Sequence, residues 1–170
     1  MTFPHLMLGG VPIVLHAGAP EFSAEGVEGA STVRMSLGAL VKMTHWTGKA
    51  RGSITGNGWM PPGLDGLDYS QPLELRSTQP ETITTPALSA ALSSEPRPDY
   101  APWALALVGK EWIKTACTYA AGVTTAAPVA GATLYAFYWL PVYQVFATKP
   151  TKSLNSGAAA HGWSLSWEQA

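Results

Sequence analysis

Seventeen glycines and fourteen prolines are spread along the whole of a 170-residue chain, and that distribution constrains the fold more than any other feature. Proline removes a helical hydrogen bond and clashes with the preceding turn, and glycine costs a helix about 1 kcal/mol against alanine. Few windows are long and clean enough for a helix. Alternation of apolar and polar residues with period two recurs instead, the pattern of half-buried strands.

Residues 11–16 are apolar except at their end and read as a strand. In 32–36, Val33 and Met35 alternate with Arg34 and Ser36, and 41–46 follow after Gly38, so the two segments read as a hairpin. Residues 51–55 read as a short strand closed by Gly56-Asn57-Gly58, a strong turn signal because Asn and Gly tolerate positive φ. The punctuated stretch 61–68 reads as an ordered loop pinned by Trp59, Leu64 and Leu67. Leu73 and Leu75 point inward from a strand over 73–76.

Residues 77–102 are rich in Ser, Thr and Pro and are expected to form an excursion or arm, chiefly over 86–98, with a flexible linker as the alternative and 82–84 as a possible strand. For 103–119 a hairpin turning at Gly109-Lys110 competes with a helix. Gly109 and the β-branched Ile113, Thr115 and Thr118 favour the hairpin. Residues 122–131 form a small-residue loop. Bulky side chains on both faces of 133–140 imply a strand between two layers, and Pro141 bends the chain into a further strand over 142–147. A polar loop over 149–160 leads to a terminal strand in which Trp163, Leu165 and Trp167 alternate with Ser164, Ser166 and Glu168. The expectation is an all-β fold, a β-sandwich or partly open barrel of nine to ten short strands with long loops, as a single domain over 1–170. Seven tryptophans supply core area, and Trp46, Trp59, Trp139 and Trp163 are expected to be buried, in the domain or at a subunit contact.

Charged residues make up only 12% of the chain, and the net charge is −1. About 25% is usual, so copies repel one another weakly, which suits a protein surrounded by other protein. Nucleic acid is not expected as a partner, because phosphate binding needs clustered Lys and Arg. The longest apolar run, 134–142, is far short of the ~20 residues of a membrane span, and no basic residues precede the apolar N-terminal stretch as in a signal peptide. A soluble protein made in a cytoplasm is expected.

Chemistry-bearing patterns are sparse. Cys117 is the lone cysteine, between Ala116 and Thr118, and reads as a small buried apolar residue. His5, His16, His45 and His161 lack zinc-helix spacing. Asp65 and Asp68 lack the further oxygen ligands of a calcium loop and read as turn-shaping acceptors. The segment 52–56, Gly-Ser-Ile-Thr-Gly, superficially resembles a nucleophile elbow but has its serine misplaced. Residues 108–111 lack the upstream glycine of a phosphate loop. Glu74, Glu81, Glu95 and Glu111 are the carboxylates from which a glycosidase pair would have to come. No catalytic, cofactor-binding or metal-binding residue is assigned, and no enzyme is expected.

The stretch 56–76, Gly-Asn-Gly-Trp-Met-Pro-Pro-Gly-Leu-Asp-Gly-Leu-Asp-Tyr-Ser-Gln-Pro-Leu-Glu-Leu-Arg, and the closing Gly-Trp-Ser-Leu-Ser-Trp-Glu at 162–168 resemble minor tail and distal tail proteins of long-tailed bacteriophages. Gly-Ala-Ser-Thr-Val-Arg-Met-Ser at 29–36 and Val-Lys-Met-Thr-His-Trp at 41–46 look like the opening strands of such a domain. The ending of such proteins is more acidic than the single Glu168 here. The resemblance implies a virion structural protein without a cofactor, an adaptor that rings with copies of itself, sixfold, and joins tail tube to baseplate, fibres or neighbouring tail proteins. Two other classes stay open: a carbohydrate-binding β-sandwich module using Trp59, Tyr69 or Trp112, and a capsid-decoration or head-to-tail connector protein.

Overall fold

The computed structural model describes residues 4–170. It is nearly all β, 59% strand and 2% helical. In chain order the strands are β1 (Met7–Leu8), β2 (Val11–Pro12), β3 (Glu21–Arg34), β4 (Leu40–Gly58), β5 (Leu73–Arg76), β6 (Glu81–Thr85), β7 (Ser89–Ala91) and β8 (Trp103–Val108). There follow β9 (Glu111–Thr115), β10 (Cys117–Ala120), β11 (Val123–Ala126), β12 (Ala132–Trp139), β13 (Val142–Ala147), β14 (Thr151–Asn155) and β15 (Ala160–Gln169). The all-β expectation holds, but two strands are much longer than anticipated. The strand read over 11–16 stops at Pro12, and a single 3-10 turn, Leu15–Ala17, takes its place.

Contacts divide the chain into two compact units where the sequence reading has one domain. The first comprises residues up to Pro12 and Glu74–Tyr143. Two antiparallel sheets pack in it, one ordered β6-β12-β8-β9 and the other β10-β11-β7. Residues 103–115 form the expected hairpin, with Leu107 opposite Trp112 and Ala106 opposite Ile113. Ala104, Ala106, Tyr135 and Phe137 point between the sheets and meet Ala126, with Ala90 and Cys117 at the margin. Alanines face inward here because their small side chains leave room for the rings of Tyr135 and Phe137. The segment 77–102 carries β6, which pairs with β12, and β7, which pairs with β11.

Arg97, in that same segment, has a fully buried side chain. It donates from Nε and Nη2 to the two carboxylate oxygens of Asp99, at 2.9 and 2.7 Å. Its Nη1 donates to the carbonyls of His5 (2.8 Å), Ser77 (3.1 Å) and Arg76 (3.4 Å). A guanidinium has five donors in a fixed fork, so one buried cation ties its own segment to two others, at His5 and at Arg76-Ser77. Nearby, the Glu81 carboxylate accepts from Tyr143 Oη (2.6 Å) and Ser94 Oγ (2.8 Å), and Ser94 Oγ accepts from the Trp139 indole (2.9 Å).

The second unit, Ile13–Leu73 and Gln144–Ala170, is built on β3, β4 and β15, with β14 and the end of β13 pairing side by side along the far edge of β15. One face of this sheet is apolar and inward. Phe22, Ile54 and Leu165 are in register across three strands, and Phe22 stacks on Trp167 at 5.4 Å. The Trp163 indole donates to the Ala17 carbonyl at 2.8 Å. Glycines that look like turn signals in the sequence lie inside β4. Gly56 leaves the space filled by the Trp163 indole, whose atoms would stand 2.6 Å from a Cβ there. Trp139 and Trp163 are buried as expected, and so is Trp167. Trp46 and Trp59 are not buried within the chain: they are 48% and 66% exposed.

Candidate functional site

The distinctive feature of the second unit is the outer part of the β3–β4 hairpin. Every residue from Ala30 to Lys49 is exposed. Val33 pairs with Val41, Ser31 with Met43, Thr32 with Lys42 and Ala30 with Thr44. Six paired positions from Gly29 to Arg34, at ~3.3 Å rise per residue, make an arm on the order of 20 Å long before its turn. Met35 and Ala39 close the turn, with the Met35 amide donating to the Ala39 carbonyl at 2.9 Å. Gly38 takes φ +83° there, which a side chain would resist.

Period two sorts the arm's side chains onto two faces. One carries Val33, Val41 and Met43, and continues to Trp46, whose ring lies over Gly29. The other carries Thr32, Lys42, Arg34 and Thr44 together with the exposed Leu40, and Lys42 is ion-paired to Glu28. The irregularity in register on both sides of Gly29 puts Trp46 on the apolar face. A two-stranded ribbon alone is at best marginally stable in water. This one has alternated its residues as though one face were to be covered, and among the described residues nothing covers it.

The rest of the second unit's outward sheet face is polar. Ser23, Ser53 and Ser166 stand side by side on adjacent strands, and Thr148 extends the row. Ser23 and Ser53 hydroxyls are 3.0 Å apart and those of Thr148 and Ser166 3.2 Å. A parallel row holds Glu25, Arg51, Glu168 and Phe146, with Glu25 and Arg51 paired at 2.5 Å. The two rows line an open hollow of about 580 Å³.

The first unit's four-stranded sheet has a second apolar face, on which Trp103, Leu105, Leu107, Leu134 and Tyr138 are half-buried and Ala136 is buried. Because Ala104 and Ala106 point inward, Trp103, Leu105 and Leu107 of β8 point out, level with Tyr138, Ala136 and Leu134 of β12. Trp112 and Lys114 of β9 continue that face. The Trp103 and Tyr138 rings stack at 5.5 Å, and Trp112 is 45% exposed. Beside it lies a hollow of about 550 Å³ lined by Tyr100, Pro102, Trp103, Leu105, Lys114 and Cys117. β8 and β12 are therefore apolar on both sides, as strands between two layers are, while β6 brings Thr82 and Thr84 and β9 brings Lys114 onto the outward face.

The residues that sequence reasoning weighed for chemistry are dispersed. Ser53 lies in the middle of β4, not on an elbow. His16 packs edge-on against Trp59 at 5.3 Å, His45 stands exposed on the arm and His161 begins β15 opposite Gly58. The Lys152 ammonium, ion-paired with Asp65, holds that carboxyl below the usual carboxylate range. Asp68 accepts from the Ser70 hydroxyl at 2.6 Å and amide at 3.0 Å, which lowers its carboxyl likewise. Glu74 pairs with Arg76, and Glu81 is engaged by Ser94 and Tyr143. Burial pushes the Cys117 thiol up. Among the described residues no three His, Cys, Asp or Glu side chains come together as metal ligands would, and no helix is long and apolar enough to cross a membrane. The paired apolar faces were the signal missed in the sequence. The alternation of Val33, Val41 and Met43 was visible, but not that it would stand clear of any core.

No protein-family profile, curated protein or solved structure matches the chain.

Proposed function

We propose that this chain is a non-catalytic structural protein that completes its apolar burial by assembling with other copies of itself, as a ring-forming adaptor in a phage tail. The arm carries the assembly half of this reading. Its uncovered apolar face would be a liability on a free monomer and is an asset on a subunit. The low charge supports the same half, since subunits with net charge −1 approach without strong repulsion. The phage-tail half rests on the resemblance of 56–76 and 162–168. The virion, with tail tube, baseplate or fibre proteins as neighbours, is its setting in this reading.

Sedimentation velocity and negative-stain microscopy of the purified chain test it. Closed rings or larger cyclic assemblies are expected at micromolar concentration. A stable monomer at high concentration refutes the assembly reading.

A glycan-binding module is the second reading, favoured by Trp59, whose indole is exposed and held edge-on by His16. Titration of the chain with host polysaccharide separates the two: saturable binding lost in Trp59→Ala supports the module.

A further inference from the structure

The arm and the outward face of the first unit's four-stranded sheet are two apolar surfaces on one chain, and we propose that they are each other's partners between neighbouring copies. The occupant of the sheet face is the arm of a second copy of this chain. The inference rests on the self-assembly reading above and adds to it which two surfaces meet.

Area supports the match. Val33, Met35, Val41, Met43 and Trp46 are 40–57% exposed and Leu37 is 96% exposed. Together they offer on the order of 600 Å² of apolar surface, near the ~800 Å² per partner of a standard specific interface. The sheet face supplies what such a ribbon needs. It is aromatic and aliphatic through Trp103, Leu105, Leu107, Leu134 and Tyr138, all half-buried, and the exposed Trp112; Thr82 and Thr84 lie along one edge and its one charged member, Lys114, along the other. Aromatic residues are the side chains that most often anchor interfaces.

Charge supports it as well. The apolar face of the arm bears no charged residue, while Glu28, Lys42 and Arg34 lie on the opposite face. Docking through the apolar face therefore buries no ion and leaves that polar face in water. By contrast, the second unit's own outward face is lined by hydroxyls and the Glu25–Arg51 pair, so an apolar ribbon laid there would strand polar groups. A contact between two different surfaces is head-to-tail. It generates a ring if the rotation closes and a filament if it does not.

The test uses the full chain in two variants, Val41→Asp/Met43→Asp on the arm and Leu107→Asp/Trp112→Asp on the sheet. Each is expected to weaken self-association by roughly 30-fold or more, the loss expected when an interface anchor is removed, and to sediment as a monomer at concentrations where wild type assembles. Mixed one to one, they are expected to form a closed pair and nothing larger, because the pair uses the single intact arm and the single intact sheet face. Formation of that pair also shows that both variants are folded. Assembly of either variant at wild-type strength overturns the proposed pairing. A mixture that stays monomeric, with both variants giving the wild-type circular dichroism spectrum, does the same. In both cases wild-type assembly would still stand, so failure of the pairing is distinguishable from failure of the assembly reading, which a monomeric wild type would show.

Discussion

Replacing Arg97 by methionine keeps the length of the buried stem and removes all five donors. The carbonyls of His5 and Ser77, bonded at 2.8 and 3.1 Å, lose their charged donor, and the weaker bond to Arg76 at 3.4 Å goes too. Ser77 is buried, so its carbonyl left unpaired costs about 1–3 kcal/mol, whereas the exposed His5 and the half-buried Arg76 leave theirs nearer water. The Asp99 side chain is 39% exposed, so its carboxylate regains water and adds little. Methionine recovers part of the loss, because the desolvation of a buried cation no longer has to be offset. The balance is a destabilisation of about 1–3 kcal/mol for Arg97→Met, with Arg97→Lys between it and wild type, because one ammonium cannot reach both the carboxylate fork and the carbonyls. Urea unfolding followed by tryptophan fluorescence reads the change as a lower midpoint at unchanged slope. Acid adds a second readout. The Arg97 guanidinium beside Asp99 holds that carboxyl below its usual value. The stability Asp99 contributes is therefore complete above the unfolded carboxyl's pKa, near 4, and is lost as pH falls through the lower folded value. The difference between wild type and Arg97→Met should shrink over that window. A loss below about 1 kcal/mol at pH 7 would refute the role given to this cation.

Two glycines offer a controlled contrast. Gly56→Ala meets the Trp163 indole at 2.6 Å, and because that ring is buried and tethered to Ala17, a loss of about 2–3 kcal/mol is expected in the same unfolding assay. Gly29→Ala meets the Trp46 indole at 2.2 Å, but that ring is half exposed and can swing away, so stability should change by less than about 1 kcal/mol while Trp46 emission shifts. Met43→Lys, on the uncovered face of the arm, should leave chain stability within ~0.5 kcal/mol of wild type and reduce self-association, read by light scattering. Burial raises the pKa of the Cys117 thiol, so its alkylation by iodoacetamide at pH 8 should run several-fold slower than that of a free cysteine. An equal rate would contradict the packing described.

The all-β character was legible because glycine and proline leave no room for helices, and alternation placed Trp163, Leu165 and Trp167 correctly on one inward face. The hairpin over 103–115 was legible for the same reason. What the sequence concealed was the length of β3 and β4. Gly56-Asn57-Gly58 read as a turn closing the strand over 51–55, yet it lies inside β4, as do Gly48 and Gly52. There Gly56 makes room for an indole, and Gly52 lies so close to the Ser23 carbonyl that a Cβ would stand 1.9 Å from it. Local patterns cannot distinguish a glycine that ends a strand from one that lets a ring cross it. The same limit explains Trp46 and Trp59, since hydrophobicity does not report whether the strand behind a ring belongs to a layered core. The segment 77–102, read as an arm from its Ser, Thr and Pro content, carries two paired strands and the buried Arg97, whose partners lie up to 92 residues away in sequence. No local window contains that information.

The rows of Ser23, Ser53, Ser166 and Thr148 have a bearing on how such a molecule avoids sticking indiscriminately. Neighbouring hydroxyls already bond one another sideways, and their remaining capacity faces the solvent. A greasy surface arriving there would displace that hydration and receive no compensating bonds, so the encounter is unproductive. Were copies of this chain to assemble as proposed, this face would confine adhesion to a few directions and favour orderly growth over precipitation.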